Sequence, residues 1–267
     1  MPTVLFDLYR TLRFATRLPL PTLASEMDDP IVPADRFAPA FVLCGALVGL
    51  VGGVVAALLM LIGAAPLIAS IVGIASLVVL TGALHEDGLA DCADGVGGGR
   101  TRERKLEIMR DPTVGSYAVL ALVLSVLGRV AAFASFLAVS PWLALGALVA
   151  TQSLSRGASM LGAAILPSAR PDGAGARLGQ PSMKAASFAV AVGGAIAALA
   201  LLVTAGPIIG LVGLICVIAI GALASFWVLW LADRHLGGQT GDVLGAVQQM
   251  SDLAGLIALS ISVSVMV

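Results

Sequence analysis

The chain has 267 residues, of which 59% are hydrophobic and 12% charged, and its formal net charge is −1. Such a composition excludes an ordinary soluble domain, and the near-zero charge gives no case for a nucleic-acid partner. The apolar runs are unbroken instead of alternating in segments of roughly ten residues, which excludes a transmembrane β-barrel and points to an all-α, polytopic membrane bundle.

Residues 1–37 hold Asp7, Arg10, Arg13, Arg17, Glu26, Asp28, Asp29, Asp35 and Arg36 and no apolar core, so no signal peptide is expected there. Leu5, Leu8, Leu12 and Phe14 suggest a short amphipathic helix lying on the membrane. Seven spans are predicted over 38–62, 65–84, 116–138, 142–165, 185–205, 208–231 and 245–266. Each is near the roughly 20 residues that cross about 30 Å of hydrocarbon. The whole chain, 1–267, reads as a single membrane-embedded catalytic domain. Gly52-Gly53 and Gly193-Gly194 are predicted close helix contacts.

The connections alternate in character. Those at 63–64, 139–141 and 206–207 are short and uncharged. The others carry Arg100, Arg102, Arg104, Lys105 and Arg110, then Arg170, Arg177 and Lys184, then Arg234. All of these fall on the same side as the basic amino-terminal segment. The positive-inside rule makes that side cytoplasmic. Chemistry is therefore expected at the cytoplasmic face of the membrane. Two arginines, Arg129 and Arg156, lie inside spans, where a charge is costly. Arg156 shares a polar patch with Gln152, Ser153 and Ser155 and is a candidate functional residue. Cys44, Cys92 and Cys216 form neither a disulfide framework nor a zinc-site spacing, and Cys92 reads as a small filler.

The second span runs into His85-Glu-Asp-Gly-Leu-Ala-Asp-Cys-Ala-Asp-Gly95, four carboxylates in nine positions. Asp87, Asp91 and Asp94 are spaced i, i+4, i+7, which puts them on one helix face. Three like charges on one stripe repel unless a cation sits among them. The predicted occupant is Mg²⁺, with Glu86 as a further candidate ligand and substrate phosphate completing the shell. Gly97, Gly98 and Gly99 allow close backbone approach, and Arg100 to Lys105 can either clamp phosphate or form a solvated helix with internal ion pairs. A second polar cluster, Gly237-Gly-Gln-Thr-Gly-Asp242, brings Thr240 and Asp242 to the same face. Together these parts suit phosphoryl transfer, which is mostly positioning and charge neutralisation.

Several motifs in order resemble the cobalamin synthase family, whose activity is adenosylcobinamide-GDP ribazoletransferase. They are Phe14-Ala-Thr-Arg-Leu-Pro19, the 85–95 motif with the following glycines and arginine, Glu107-Ile-Met-Arg-Asp111 with Val114-Gly-Ser-Tyr117, Leu166-Pro-Ser-Ala-Arg-Pro-Asp-Gly173 and Gly237-Gly-Gln-Thr-Gly-Asp-Val-Leu-Gly-Ala246. The likeness runs from near residue 10 to near residue 250. The family pattern has Leu at position 86, which sets Glu86 apart from the three aspartates. The resemblance implies an integral membrane, Mg²⁺-dependent transferase that joins adenosylcobinamide-GDP to α-ribazole or α-ribazole 5′-phosphate and releases GMP. On that reading Asp87, Asp91 and Asp94, with Asp242, bind the metal. Arg100, Arg102, Arg156 and Arg177, with Thr240, Gly97 and Gly98, hold substrate. His85 or a carboxylate among Asp94 and Asp242 takes the hydroxyl proton. A homo-oligomer, or association with other cobalamin-assembly enzymes, is compatible with this reading.

Two rivals remain. Asp91-x-x-Asp94-Gly95 also resembles the opening of the CDP-alcohol phosphotransferase signature, but the Ala-Arg pair is out of register and the later aspartate pair is missing. A small-solute transporter would bind near the midplane, whereas most ionisable residues here gather at one face.

Overall fold

The computed structural model describes residues 3–23, 32–170 and 179–266. The order is α1 (Thr3–Ala15), α2 (Ala34–Leu61), α3 (Pro66–Thr81), α4 (Leu84–Gly98), α5 (Arg102–Ile108), α6 (Ser116–Val139), α7 (Pro141–Ile165), α8 (Met183–Ala205), α9 (Pro207–Leu236) and α10 (Gly241–Met266). The only β pairing among the described residues is an isolated bridge from Ser168 to Gln239. It ties the 166–170 and 237–240 connections together.

Proline punctuates the bundle where the sequence changes direction. Pro66, Pro141 and Pro207 each open a helix, where a missing N–H costs nothing. Among the described residues, five helices, α2, α6, α8, α9 and α10, are long and apolar enough to cross a membrane, or six spans if the bent pair α3 and α4 counts as one. The seven predicted runs all appear as helices, but α7 owes its place to its neighbours and not to its own apolarity. It lies against α2, α8 and α10 and buries Thr151, Gln152, Ser153, Ser155 and Arg156. Large apolar side chains point outward instead, including Leu120, Leu124 and Leu127 of α6 and Leu223 and Phe226 of α9. Polar side chains buried within an otherwise apolar core, with large apolar side chains facing outward, suit a lipid solvent.

Small residues set the helix spacing. Gly45, Gly49 and Gly53 form one face of α2, and a methyl group on any of them would strike α7. Gly52 meets Leu77 of α3 in the same way. Gly193 packs on Ser153, but Gly194 faces open space, so only one of that predicted pair is a contact.

The second predicted span ends earlier than its apolar run. Gly82 (φ 63°) and Ala83 (φ 58°) are both left-handed, and α4 leaves at 87° to α3. The four carboxylates thus lie on a separate helix that departs from the line of the α3 span. At the amino terminus, α1 packs on α2, and Arg36 donates to both carboxylate oxygens of Asp7 at 2.6 and 2.9 Å. Leu8 and Leu12 pack on the core while Leu5 and Phe14 stay exposed, so α1 is amphipathic as predicted.

Candidate active site

The face of α4 that carries the aspartates lines a cavity of roughly 330 Å³. Asp87, Asp91 and Asp94 form one wall, with Glu86 beside them. The opposite wall is the α5–α6 connection, Met109 to Val114, with Ala118 and Leu122 of α6. Helical periodicity is thus sufficient to explain the shared face. Close approach of α10 completes the cluster. A methyl group on Gly88 would stand 2.8 Å from the Asp242 carbonyl oxygen and 3.2 Å from the Gly245 Cα. Only glycine lets α4 and α10 cross this closely, and the crossing brings Asp242 up to Asp91.

The crowding has an electrostatic signature. Burial first, then repulsion from Asp87, Asp242 and Asp94, pushes the Asp91 carboxyl up from 3.8 to about 7, against the opposing pull of Arg170. An anionic cluster that resists losing its last proton is suited to a cation. The available donors are carboxylate oxygens, which suit a hard ion such as Mg²⁺. Among the described residues, however, no three His, Cys, Asp or Glu side chains converge closely enough to enclose a metal ion. The arrangement is an open half-shell. That fits Mg²⁺, which is commonly held by one or two carboxylates together with water and substrate phosphate.

The structure divides the predicted ligand set. Asp87 is exposed on the cavity and Asp91 half-buried in its wall. Asp94 is otherwise engaged. Its Oδ2 accepts from Gly115 N at 2.6 Å and its Oδ1 from Ala118 N at 2.9 Å. It therefore caps the start of α6 from another helix, offering negative charge to the exposed N–H groups. Gly115 is required there because a Cβ would collide with the Asp94 carboxylate. Glu86 is also engaged, accepting from Arg129 Nη1 at 2.9 Å. The spacing i, i+4, i+7 predicts three equivalent ligands, but distant partners make Asp94 differ from Asp87 and Asp91.

The remaining predicted residues are scattered. His85 is buried and turned away from the cavity, its ring 5.8 Å from that of Phe41 on α2. Arg156 lies 5.5 Å from the same Phe41 ring and donates to the Gln152 side chain at 2.7 Å and to its carbonyl at 3.0 Å. Arg102 clamps the bundle, donating to the Leu236 carbonyl at 2.6 Å and the Ala169 carbonyl at 2.9 Å. Arg100 is exposed. Thr240 accepts from Val243 N at the start of α10 and donates to Asp242, both at 3.3 Å. Gly97 packs under the Tyr117 ring, whereas Gly98 is exposed near Ile108. Arg177 and the turn Pro171-Asp172-Gly173 lie outside the described residues, as do Glu26, Asp28 and Asp29.

Other residues take up positions beside the cavity. Arg110, Asp111 and Thr113 line it. The Thr113 hydroxyl and amide donate to Asp111 and hold its carboxyl below the usual carboxylate range. Arg170 approaches Asp242 at 3.5 Å and donates to the Leu106 carbonyl at 3.1 Å. The sequence signal for Arg110 was its place in the 107–111 motif, and for Arg170 its place in the 166–173 motif. Cys92 is buried, and its thiol is pushed up to about 12, so it is inert packing as predicted.

No solved structure matches the chain. Three curated relatives are each called adenosylcobinamide-GDP ribazoletransferase. One from Azorhizobium caulinodans is 46% identical, covering 97% of this chain and 96% of the relative. One from Bradyrhizobium diazoefficiens is 42% identical, covering 95% and 93%. One from Rhizobium etli is 41% identical, covering 95% and 96%. The family model described as cobalamin-5-phosphate synthase matches residues 7–260, which takes in every helix that builds the acidic cavity, and the chain belongs to that family.

Proposed function

We propose that this protein is an adenosylcobinamide-GDP ribazoletransferase of the cytoplasmic membrane, with its acidic cavity open to the cytoplasm. The reaction joins adenosylcobinamide-GDP to α-ribazole, or to α-ribazole 5′-phosphate. A ribose hydroxyl attacks the phosphorus attached to cobinamide, the bond from that phosphorus to the bridging oxygen breaks, and GMP leaves with that oxygen. The observation that carries the reading is the half-shell of Asp87 and Asp91 on a cavity whose far wall holds Arg110. Mg²⁺ bound there would neutralise charge on the pyrophosphate as it splits.

The chain's own groups divide the remaining work. Asp87 and Asp91 present oxygens to the ion, and Asp242 deepens the negative potential behind them. Arg110 lines the cavity and Arg170 reaches Asp242 behind it, so both sit where they can pair with phosphate oxygens, while Arg100 is exposed on the connection after α4. Asp94 holds the start of α6 against α4 and so fixes the cavity width. His85 faces α2, so a carboxylate of the cavity wall is the better placed acceptor of the hydroxyl proton.

A substrate comparison tests this. Purified protein is expected to release GMP from adenosylcobinamide-GDP plus α-ribazole 5′-phosphate, and no CMP from a CDP-lipid plus an alcohol acceptor. CMP release without GMP release would transfer the same cavity to phospholipid chemistry. Binding of either compound without turnover would favour transport.

A further inference from the structure

Behind the acidic cavity, three helices meet at a buried guanidinium, and a chain of side-chain amides extends the network to a fourth. Arg129 of α6 is 1% exposed. Its Nη1 donates to Glu86 Oε1 of α4 and to Gln249 Oε1 of α10, each at 2.9 Å. Its Nε lies 3.1 Å from Asp252 Oδ2 of α10, a residue with no exposure at all. Gln249 Nε2 then donates to Gln248 Oε1 at 3.0 Å, and Gln248 Nε2 to Ser155 Oγ of α7 at 3.1 Å.

Stability alone is a poor reason for such a network. Each buried ion loses several kcal/mol of hydration, and well-packed apolar residues of similar volume commonly do as well or better. What the network supplies is direction. The helix α4 follows a left-handed break at Gly82 and Ala83, and it crosses α10 most closely at Gly88 and Gly245, with Leu89 and Cys92 packed beside them on Val243, Ala246 and Val247. Polar bonds to other helices then hold its rotation at two places, Asp94 to the start of α6 toward its end and Glu86 to Arg129 in its first turn. One residue of helical rotation, about 100°, would turn the aspartate face out of the cavity. Glu86 is the residue before Asp87 and is itself part of the cavity wall, so its bond to Arg129 acts directly on the orientation of the stripe.

We infer that Arg129 is a positioning residue for the transfer reaction: by holding Glu86 against α10 it fixes the rotation of α4 and so the direction in which Asp87 and Asp91 face the cavity. The inference rests on the proposed metal-assisted transfer. It gives Glu86 and Asp252 a role that differs from direct ligation.

The test compares Mg²⁺-dependent GMP release, and Mn²⁺ binding by paramagnetic resonance without substrate, in wild type, Arg129→Lys and the double variant Glu86→Gln/Arg129→Gln. The double variant removes one charge of each sign, but Asp252 also loses its 3.1 Å partner, so a melting curve is recorded before any binding is read. This variant is expected to melt cooperatively, to bind Mn²⁺ at least about tenfold more weakly, and to need correspondingly more Mg²⁺ for half-maximal rate. At saturating Mg²⁺ its KM for the cobinamide nucleotide should change little. Arg129→Lys should fall between wild type and the double variant, and it carries the same measurement if the double variant does not fold. Unchanged Mn²⁺ binding in these variants, with or without loss of turnover, overturns the positioning role while the metal reading stands. A wild type that binds no Mn²⁺ and turns over without any divalent ion overturns the metal reading, and the inference with it.

Discussion

At the scale of single residues, the aspartates of α4 differ by what they touch. Asp94 is bonded to two backbone amides of α6, so Asp94→Ala should destabilise the protein by about 1–2 kcal/mol, the usual loss for an N-cap, measured by thermal melting in detergent. A melting temperature equal to wild type would remove the capping role. Asp91 makes a prediction with a definite sign. Its carboxyl sits at about 7 when the metal is absent, above its ordinary 3.8. The folded protein therefore holds this proton more tightly than the unfolded chain does. Raising the pH through that window removes stability from the metal-free protein, and Mg²⁺ should restore it by binding the deprotonated form. Below pH 7 the proton competes with the ion, and the Mg²⁺ needed for half-maximal rate should rise by up to about tenfold per pH unit. A requirement independent of pH between 5 and 8 would exclude Asp91 as a ligand. The i, i+4, i+7 spacing made this face legible in the sequence. The bonds from Asp94 to Gly115 and from Glu86 to Arg129 were not, because they join positions 21 and 43 residues apart and leave no local pattern.

Elements pack here through their smallest residues. Gly88→Val should force α4 away from α10, since the added carbons would meet the Asp242 backbone. The expected cost is about 1–3 kcal/mol of stability together with loss of turnover, and a fully active, equally stable variant would contradict the crossing. The break before α4 predicts a gain instead. Ala83 holds a left-handed conformation that costs a non-glycine residue roughly 1–2 kcal/mol. Ala83→Gly should therefore leave stability unchanged or raise it by up to about 1 kcal/mol, read by the same melts. Helix existence was legible from the apolar runs, while Pro66, Pro141 and Pro207 turn out to stand at first helical positions. The 87° turn was not legible, because an alanine following Gly82 carries no signal for a second left-handed residue. The α7 run shows the converse. Its polar patch of Gln152, Ser153, Ser155 and Arg156 was legible as a cluster, but its bonding partners within α7 and on α10 were not.

The whole molecule is one helical bundle, and its charged connections gather at one end. The acidic cavity, the α5 segment and the joined 166–170 and 237–240 connections lie together, while the three short connections at 63–64, 140 and 206 are uncharged. Reporters placed at residues 63, 140 and 206 should report the outer side, and those at 100 and 237 the cytoplasm. The reverse pattern would place the cavity outside the cell. The central claim is narrower, that Asp91 helps to hold an ion on which nucleotide-pyrophosphate cleavage depends. The most direct measurement is GMP release from adenosylcobinamide-GDP and α-ribazole 5′-phosphate, with and without Mg²⁺, beside Asp91→Asn. Wild type is expected to give Mg²⁺-dependent GMP and cobalamin phosphate, and Asp91→Asn to lose at least about a hundredfold in rate while still melting like wild type. Equal GMP release from both proteins, or release unaffected by removing divalent ions, would contradict that claim.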